Sequence, residues 1–333
     1  MVHPADIVAR RRAFLTAAVA CAASGLARAQ GGGAPEFPKR PVRLVVPFAP
    51  GGATDLSARL LSVRLSEFWG QPVTVENRPG ASGMIGAQEV LRAPADGYTI
   101  MVSITTHIQN PSLFQKLPYD ALRDFAPVSQ TALSYLGLVV RPEHPANTIG
   151  EFVAHVKANP GAYTFGSFGT ASSSHIVGES FGRAIGAQVN HVAYKGSAPM
   201  LADLLGGQIP IGWADVSTAI PHINAGKLKV LAVSGPKRTP LLPKVPTLAE
   251  SGYPGYEPLG WVGVFVHSAT PRPLVDAIAR DVIRATNHPE TLARLAEQTL
   301  VPVASTPDAF AKTLREDAAT WAKMIRAAGI QPQ

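Results

Sequence analysis

Short apolar strands alternate with amphipathic helices along most of this chain, and two of the strand-to-helix turns consist almost wholly of small residues. In the first, Arg43 to Phe48 reads as a buried strand, Ala49-Pro50-Gly51-Gly52-Ala53-Thr54-Asp55 as the turn, and Leu56 to Phe68 as a helix. In the second, a strand from Tyr163 to Ser167 leads through Phe168-Gly169-Thr170-Ala171-Ser172-Ser173-Ser174 into a helix from His175 to Gly186. Each helix carries an apolar stripe at helical spacing, Ala58, Leu61, Leu65 and Phe68 in one and Val177, Phe181 and Ala184 in the other. A helix packed down along such a stripe has a fixed N-terminus, with unpaired N–H donors and the positive end of a dipole. Small anions bind there without an arginine, so the amides of Gly51 and Gly169 are expected to be bare and to act as two jaws for a carboxylate.

Further strands are expected at Val73 to Asn77, Thr99 to Ile104, Leu136 to Arg141, His191 to Ala193, Lys229 to Ser234 and Trp261 to His267. Helices are expected at Ile85 to Arg92, Ile149 to Asn159 and Ala198 to Leu205, with a C-terminal third that is mostly helical from Pro273 to Ala328. Alternation of this kind predicts an α/β fold with parallel-rich sheets covered by helices on both faces, and ligands beyond the carboxyl ends of the strands. About 300 mature residues exceed what one core usually holds, so two domains are expected. The chain is expected to cross between them near Ser134 to Gly137 and Tyr256 to Gly260, which gives one domain from 38–135 with 258–333 and another from 136–257.

Residues 1–29 read as an export signal: Arg10, Arg11 and Arg12 as a charged start, Phe14 to Leu26 as an Ala-rich apolar stretch, and Ala27-Arg28-Ala29 as a cleavage site. Arg11-Arg12-Ala13-Phe14-Leu15 also fits a twin-arginine pattern. The Gly- and Pro-rich segment 30–37 reads as a disordered lead-in. The single cysteine, Cys21, falls in the leader, so the mature chain is expected to form no disulfide and to use no thiol. Four basic residues and one acidic residue leave with the leader, and the charge falls to +4. So mild an excess, without a basic run, argues against nucleic acid as a partner. The nine histidines show no metal-site spacing, so no metal or cofactor is expected.

Several residues have a functional and a plainer reading side by side. Asp55 is expected to cap the helix or brace the first turn rather than to touch a ligand, since a carboxylate beside a bound anion would repel it. The density of hydroxyls at Ser167, Thr170, Ser172 and Ser173 favours anion contact over simple turn formation. Ser103, Thr105 and His107 follow a strand and are candidates for the cleft, with a hydrogen-bonded loop histidine the alternative for His107. Asp215 is a carboxylate able to accept from a ligand hydroxyl or amine, or from a protonated distal carboxyl. Phe48 and Trp261 are candidate apolar walls, or ordinary core.

Several stretches, in this order, resemble the Bug/TctC family of extracytoplasmic solute receptors of tripartite tricarboxylate transporters. They are Pro41 to Phe48 with Pro50-Gly51-Gly52 and Asp55; Val75 to Gly83; Ala95 to Thr99; Leu117-Pro118-Tyr119-Asp120; His191 to Gly196; Asp203 to Gln208; and Val245 to Glu250. The resemblance implies a two-lobed periplasmic-binding-protein fold of type II, a Venus flytrap, holding a small carboxylic acid through the two turns. It implies Phe48, Pro50, Gly51, Gly52, Ala53, Ser103, Thr105, His107, Ser167, Gly169, Thr170, Ala171, Ser172, Ser173, Asp215 and Trp261 as candidate contacts. It further implies a periplasmic monomer that hands its ligand to membrane subunits and has no enzymatic activity. The family commonly has Gly where this chain has Ala171, so a positive φ there would be strained. Two other functions fit less of the sequence: a sensory partner that presents ligand to a membrane kinase, and a secreted hydrolase built on Ser173 and His175. The latter lacks a Gly-x-Ser-x-Gly elbow.

Overall fold

The computed structural model describes residues 37–297 and 300–332; the expected leader at 1–29, Cys21 and nearly all of the lead-in lie outside them. Two mixed sheets organise the chain from Pro38 onward. The first contains β1 (Val42–Val46), β2 (Val73–Asn77), β3 (Thr99–Ile104), β4 (Phe125–Ser134), β10 (Gly260–His267) and β11 (Val301–Pro302), in the order β11-β4-β10-β3-β1-β2. The second contains β5 (Leu136–Val140), β6 (Thr164–Ser167), β7 (Asn190–Ala193), β8 (Ile211–Asp215) and β9 (Lys229–Val233), in the order β7-β6-β8-β5-β9. In each sheet a parallel half, β2-β1-β3 or β7-β6-β8, adjoins an antiparallel half.

The helices are α1 (Ala53–Trp69), α2 (Met84–Arg92), α3 (Thr106–Leu113), α4 (Ile149–Ala158), α5 (Ser173–Ala184), α6 (Ser197–Leu205), α7 (Val216–Asn224), α8 (Arg272–Thr286), α9 (Pro289–Glu297) and α10 (Pro307–Ala327). Helix α1 packs on β1 and β2, while α8 and α10 cross β4. In the second lobe α5 lies on β6 and β8 from one side, and α6 covers β8. The period of two along β5 explains how one strand serves both faces. Leu138 and Val140 join the core that contains Phe181 and Trp213, whereas Val139 joins Met200, Leu201 and Leu204. Burying a side chain such as Phe181, which is fully covered, contributes on the order of 2–3 kcal/mol. A methyl group at Gly178 of α5 would stand 2.2 Å from the Phe165 ring, so this helix can lie on β6 only with glycine there.

Among the longer elements, four depart from the sequence expectation. Strand β4 holds Pro127, α3 holds Pro111, α7 holds Pro221, and β8 follows Pro210 and includes Gly212. Proline and glycine read locally as breakers, and tertiary packing overrides that signal here. The unforeseen β4 carries the chain out of the first sheet: it ends at Ser134, and β5 begins at Leu136 in the second sheet. The return lies between β9 and β10.

Because β1, β3, β6, β7 and β8 each run directly into a turn and a helix, the N-termini of α1, α3, α5, α6 and α7 follow strand ends. The two lobes bring these ends together at one cleft.

Candidate ligand-binding site

A cavity of about 500 Å³ lies at these strand ends, within the range of small-molecule sites. Its walls include Phe48, Pro50, Gly51, Gly52, Ala53 and Thr105 from the first lobe and Gly169, Thr170, Ser172, Ser173 and Asp215 from the second, with Trp261 on the return strand. The two turns singled out in the sequence therefore line the same cavity.

The first turn is drawn tight by Asp55. Its Oδ2 accepts from the Gly51 amide at 3.0 Å and from Arg59 Nε at 2.9 Å, and its Oδ1 accepts from Asn77 Nδ2 at 3.0 Å. Burial pushes this carboxyl up, but the hydrogen bonds from Arg59, Gly51 and Asn77 outweigh it and hold the group below its ordinary value. Asn77 also donates to the Phe48 carbonyl, so β1 and β2 share the brace. Gly51 adopts φ +89°, open to glycine at little cost.

The second turn is held from beneath by uncharged groups. The Ser167 hydroxyl donates to the Gly169 carbonyl at 3.0 Å and lies 2.7 Å from His191 Nε2. The Ser172 hydroxyl donates to the Gly169 carbonyl, and the Phe168 amide donates to Ser174 Oγ. His175 Nδ1 accepts from the Ala171 amide at 3.1 Å, which makes Nε2 the protonated nitrogen of the neutral ring. The His175 and His191 rings stack with centroids 3.9 Å apart. Burial drives both pKa values down to about 4, so the pair is neutral at pH 7. Ala171 has φ +62°, the left-handed conformation that its position in a family glycine site foretold, and the His175 bond helps to hold it there.

The expected bare amides of Gly51 and Gly169 are not bare: Gly51 donates to Asp55, and Gly169 donates to Ser167 Oγ at 3.2 Å. The turns spend these donors on their own closure. Among the described residues of the two turns, the amides left without a protein acceptor include those of Gly52, Ala53 and Thr54 at the start of α1 and of Thr170 and Ser173 at α5. Three of the four singled-out hydroxyls likewise have protein partners. Ser167 and Ser172 brace the loop, and Ser173 Oγ accepts from Gln109 Nε2 of the first lobe at 2.9 Å.

Four of the expected contacts do not line the cavity. Ser103 is buried within β3 opposite Gly263, and Ser167 and Ala171 sit beneath the second turn. His107 is core: its Nε2 pairs with the Ala121 carbonyl at 3.0 Å, its ring packs among Tyr119, Phe125 and Phe265, and burial pushes its pKa down to about 4. Trp261 borders the cavity, but its indole points into the core, with Nε1 donating to Asp317 at 3.1 Å and the ring edge-on to Phe310. The Ser173 hydroxyl and the His175 ring each have other partners, so no serine–histidine relay forms. Among the described residues no group of three or more His, Cys, Asp or Glu could hold a metal, and no helix is long and apolar enough to cross a membrane.

Sequence reasoning missed a third helix start at the cavity. Gly196, with φ +122°, caps α6, and Lys195, Gly196, Ser197 and Ala198 line the wall. The signal was present in Lys195-Gly196-Ser197, a Gly-Ser pair at the end of a strand.

The model of the tripartite tricarboxylate transporter receptor family, TctC, matches residues 57–330. The chain belongs to this family. Three solved structures are similar to the receptor over nearly their whole length. The periplasmic binding protein BugD is 33% identical with a TM-score of 0.80, covering 89% of this chain and 100% of its own. Rpa4515 of R. palustris, solved with adipate, is 34% identical with a TM-score of 0.82 over 89% of this chain and 100% of its own. MatC of Rhodopseudomonas palustris, solved with bound malate, is 31% identical with a TM-score of 0.78 over 87% of this chain and 100% of its own.

Proposed function

We propose that this receptor captures a small carboxylic acid between its lobes in the periplasm and delivers it to the membrane subunits of a tripartite tricarboxylate transporter, with no chemistry of its own. One observation carries the reading: residues of both turns whose amides have no protein acceptor line one cavity, and no arginine lines it. Such amides are fixed donors that need no side-chain ordering, which lowers the entropic cost of binding. The relatives solved with adipate and malate support the same ligand chemistry.

In this reading the ligand carboxylate meets Gly52, Ala53, Thr170 and Ser173, while Phe48, Pro50, Gly51, Thr105, Gly169, Ser172, Asp215 and Trp261 shape the remaining wall. The lobes are 38–135 with 258–333, and 136–257, a division that the separate sheets support. Closure follows from contacts that only the shut form satisfies on both sides. The leader read at 1–29 accounts for export, and the receptor acts as a monomer.

A thermal-shift screen of mono-, di- and tricarboxylates tests the proposal. A matching acid at a hundred times its Kd should stabilise the fold by about 2.7 kcal/mol. Stabilisation by amines or sugars, with none by any carboxylate, would overturn it.

A further inference from the structure

Two of the cavity's lining residues carry an ionisable side chain: Lys195, which is exposed, and Asp215, which is partly buried where β8 meets α7. The apolar walls around them, Phe48, Leu136, Phe168 and Val262 among others, contribute no countercharge. The two oxygens of Asp215 are unequally engaged. Oδ1 accepts from the Ser134 hydroxyl at 2.7 Å, whereas Oδ2 has only a long contact, 3.5 Å, with the Ser197 hydroxyl. An ionised carboxylate has about four acceptor positions, so Asp215 retains acceptor capacity in the cavity. Burial pushes its pKa up, against the hydroxyls of Ser134 and Ser197, which is the mark of a carboxylate short of donors.

Resting on the reading that this cavity takes a carboxylate, we infer that Asp215 is a specificity-determining residue selecting acids that also carry a hydroxyl or ammonium group. The bare amides of α1 and α5 hold the anionic end. Asp215 then faces the substituted carbon, where a donor supplies its missing hydrogen bond and an acceptor or a second charged carboxylate is repelled. An acid of the same skeleton without the donor leaves a desolvated carboxylate unsatisfied. Sites built around a buried hydrogen-bonding group reject ligands that lack the partner far more strongly than apolar sites reject a missing methylene.

The test is calorimetric titration with acids matched in carbon skeleton: propionate, lactate and alanine; succinate, 2-hydroxysuccinate and aspartate; glutarate, 2-hydroxyglutarate and glutamate. Within the best-binding series the donor-bearing acid should bind about 10- to 100-fold more tightly than the plain acid, as for one hydrogen bond to a charged group. In Asp215→Asn that ratio should fall to within about threefold. The ratio is internal to each protein, so a general loss of stability in the variant does not imitate the effect. Equal binding of plain and donor-bearing acids by the unaltered receptor, or an unchanged ratio in Asp215→Asn, overturns the inference and leaves the carboxylate receptor standing. Absence of binding by every acid overturns both.

Discussion

The turn of the first lobe hangs on charge, Asp55 with Arg59 and Asn77, whereas the turn of the second rests on neutral groups, the hydroxyls of Ser167 and Ser172 and the stacked His175 and His191. Both contribute to the cavity wall residues whose amides have no protein acceptor. The difference follows from what lies behind each turn. Asp55 occupies the first turn of α1, where the helix dipole favours a negative charge, and Arg59 one turn later is half-exposed and stays hydrated. Behind the second turn lie Phe165 and the packed start of α5, where burial forces both imidazoles to stay neutral. A backbone anion site needs a rigid turn, and either a solvated ion pair or a desolvated neutral network supplies one.

Acid should break the second turn before the first. His175 and His191 titrate near pH 4 when folded and near 6.5 when unfolded. Their contribution is complete above pH 6.5 and is lost as pH falls towards 4, on the order of 3 kcal/mol for His175, with the His191 loss not additive because part of its shift is repulsion from His175. Urea unfolding between pH 7 and pH 4.5 should show the decline. His107 adds a term of the same sign from the first lobe, so His175→Asn combined with His191→Gln should flatten the decline by more than half rather than abolish it.

Removing the charged brace sharpens the contrast at neutral pH. Asp55→Ala strips the Gly51 amide and Asn77 of their acceptor and should cost about 2–3 kcal/mol by urea unfolding. It should also weaken carboxylate binding, which calorimetry reads, because the first turn is no longer held. Backbone substitutions give smaller effects that differ between the two turns. Gly51→Ala forces a side chain into φ +89° although nothing crowds it, and should cost about 1 kcal/mol. Ala171→Gly relieves φ +62° and should gain or cost less than about 1 kcal/mol, since the relief is offset by a more flexible unfolded chain. Comparison of the two unfolding midpoints checks the pair. Salt should matter least: raising sodium chloride from 0.1 M to 1 M screens the half-exposed Asp55–Arg59 pair by a few tenths of a kcal/mol and leaves the second turn unchanged, measurable as proton-exchange protection at Gly51 against Ala171.

The position of both turns was legible because Gly51-Gly52 and the run from Gly169 to Ser174 punctuate otherwise periodic segments. Asp55 as a brace was legible too, because a carboxylate beside a bound anion would repel it; its partner Arg59 was not. The direction of the hydroxyls was not: Ser167, Ser172 and Ser173 are equally dense in the sequence whether they face a ligand or their own loop. The histidine pair was hidden for a different reason. His191 comes beside His175 through the parallel register of β6 and β7, which sets Phe165 opposite His191, and nothing local encodes that pairing. His107 shows the reverse error, a polar residue at a strand end that the aromatic core absorbs.

A crystal structure of the receptor with a bound carboxylate found by the thermal-shift screen decides whether main-chain amides of both turns hold the ligand. The account predicts carboxylate oxygens within about 3.2 Å of amide nitrogens from both turns, among Gly52, Ala53, Thr54, Thr170 and Ser173, with the Asp55 and His175 braces intact. A carboxylate held by Lys195 at the rim, with the amides of either turn left facing water, would contradict it.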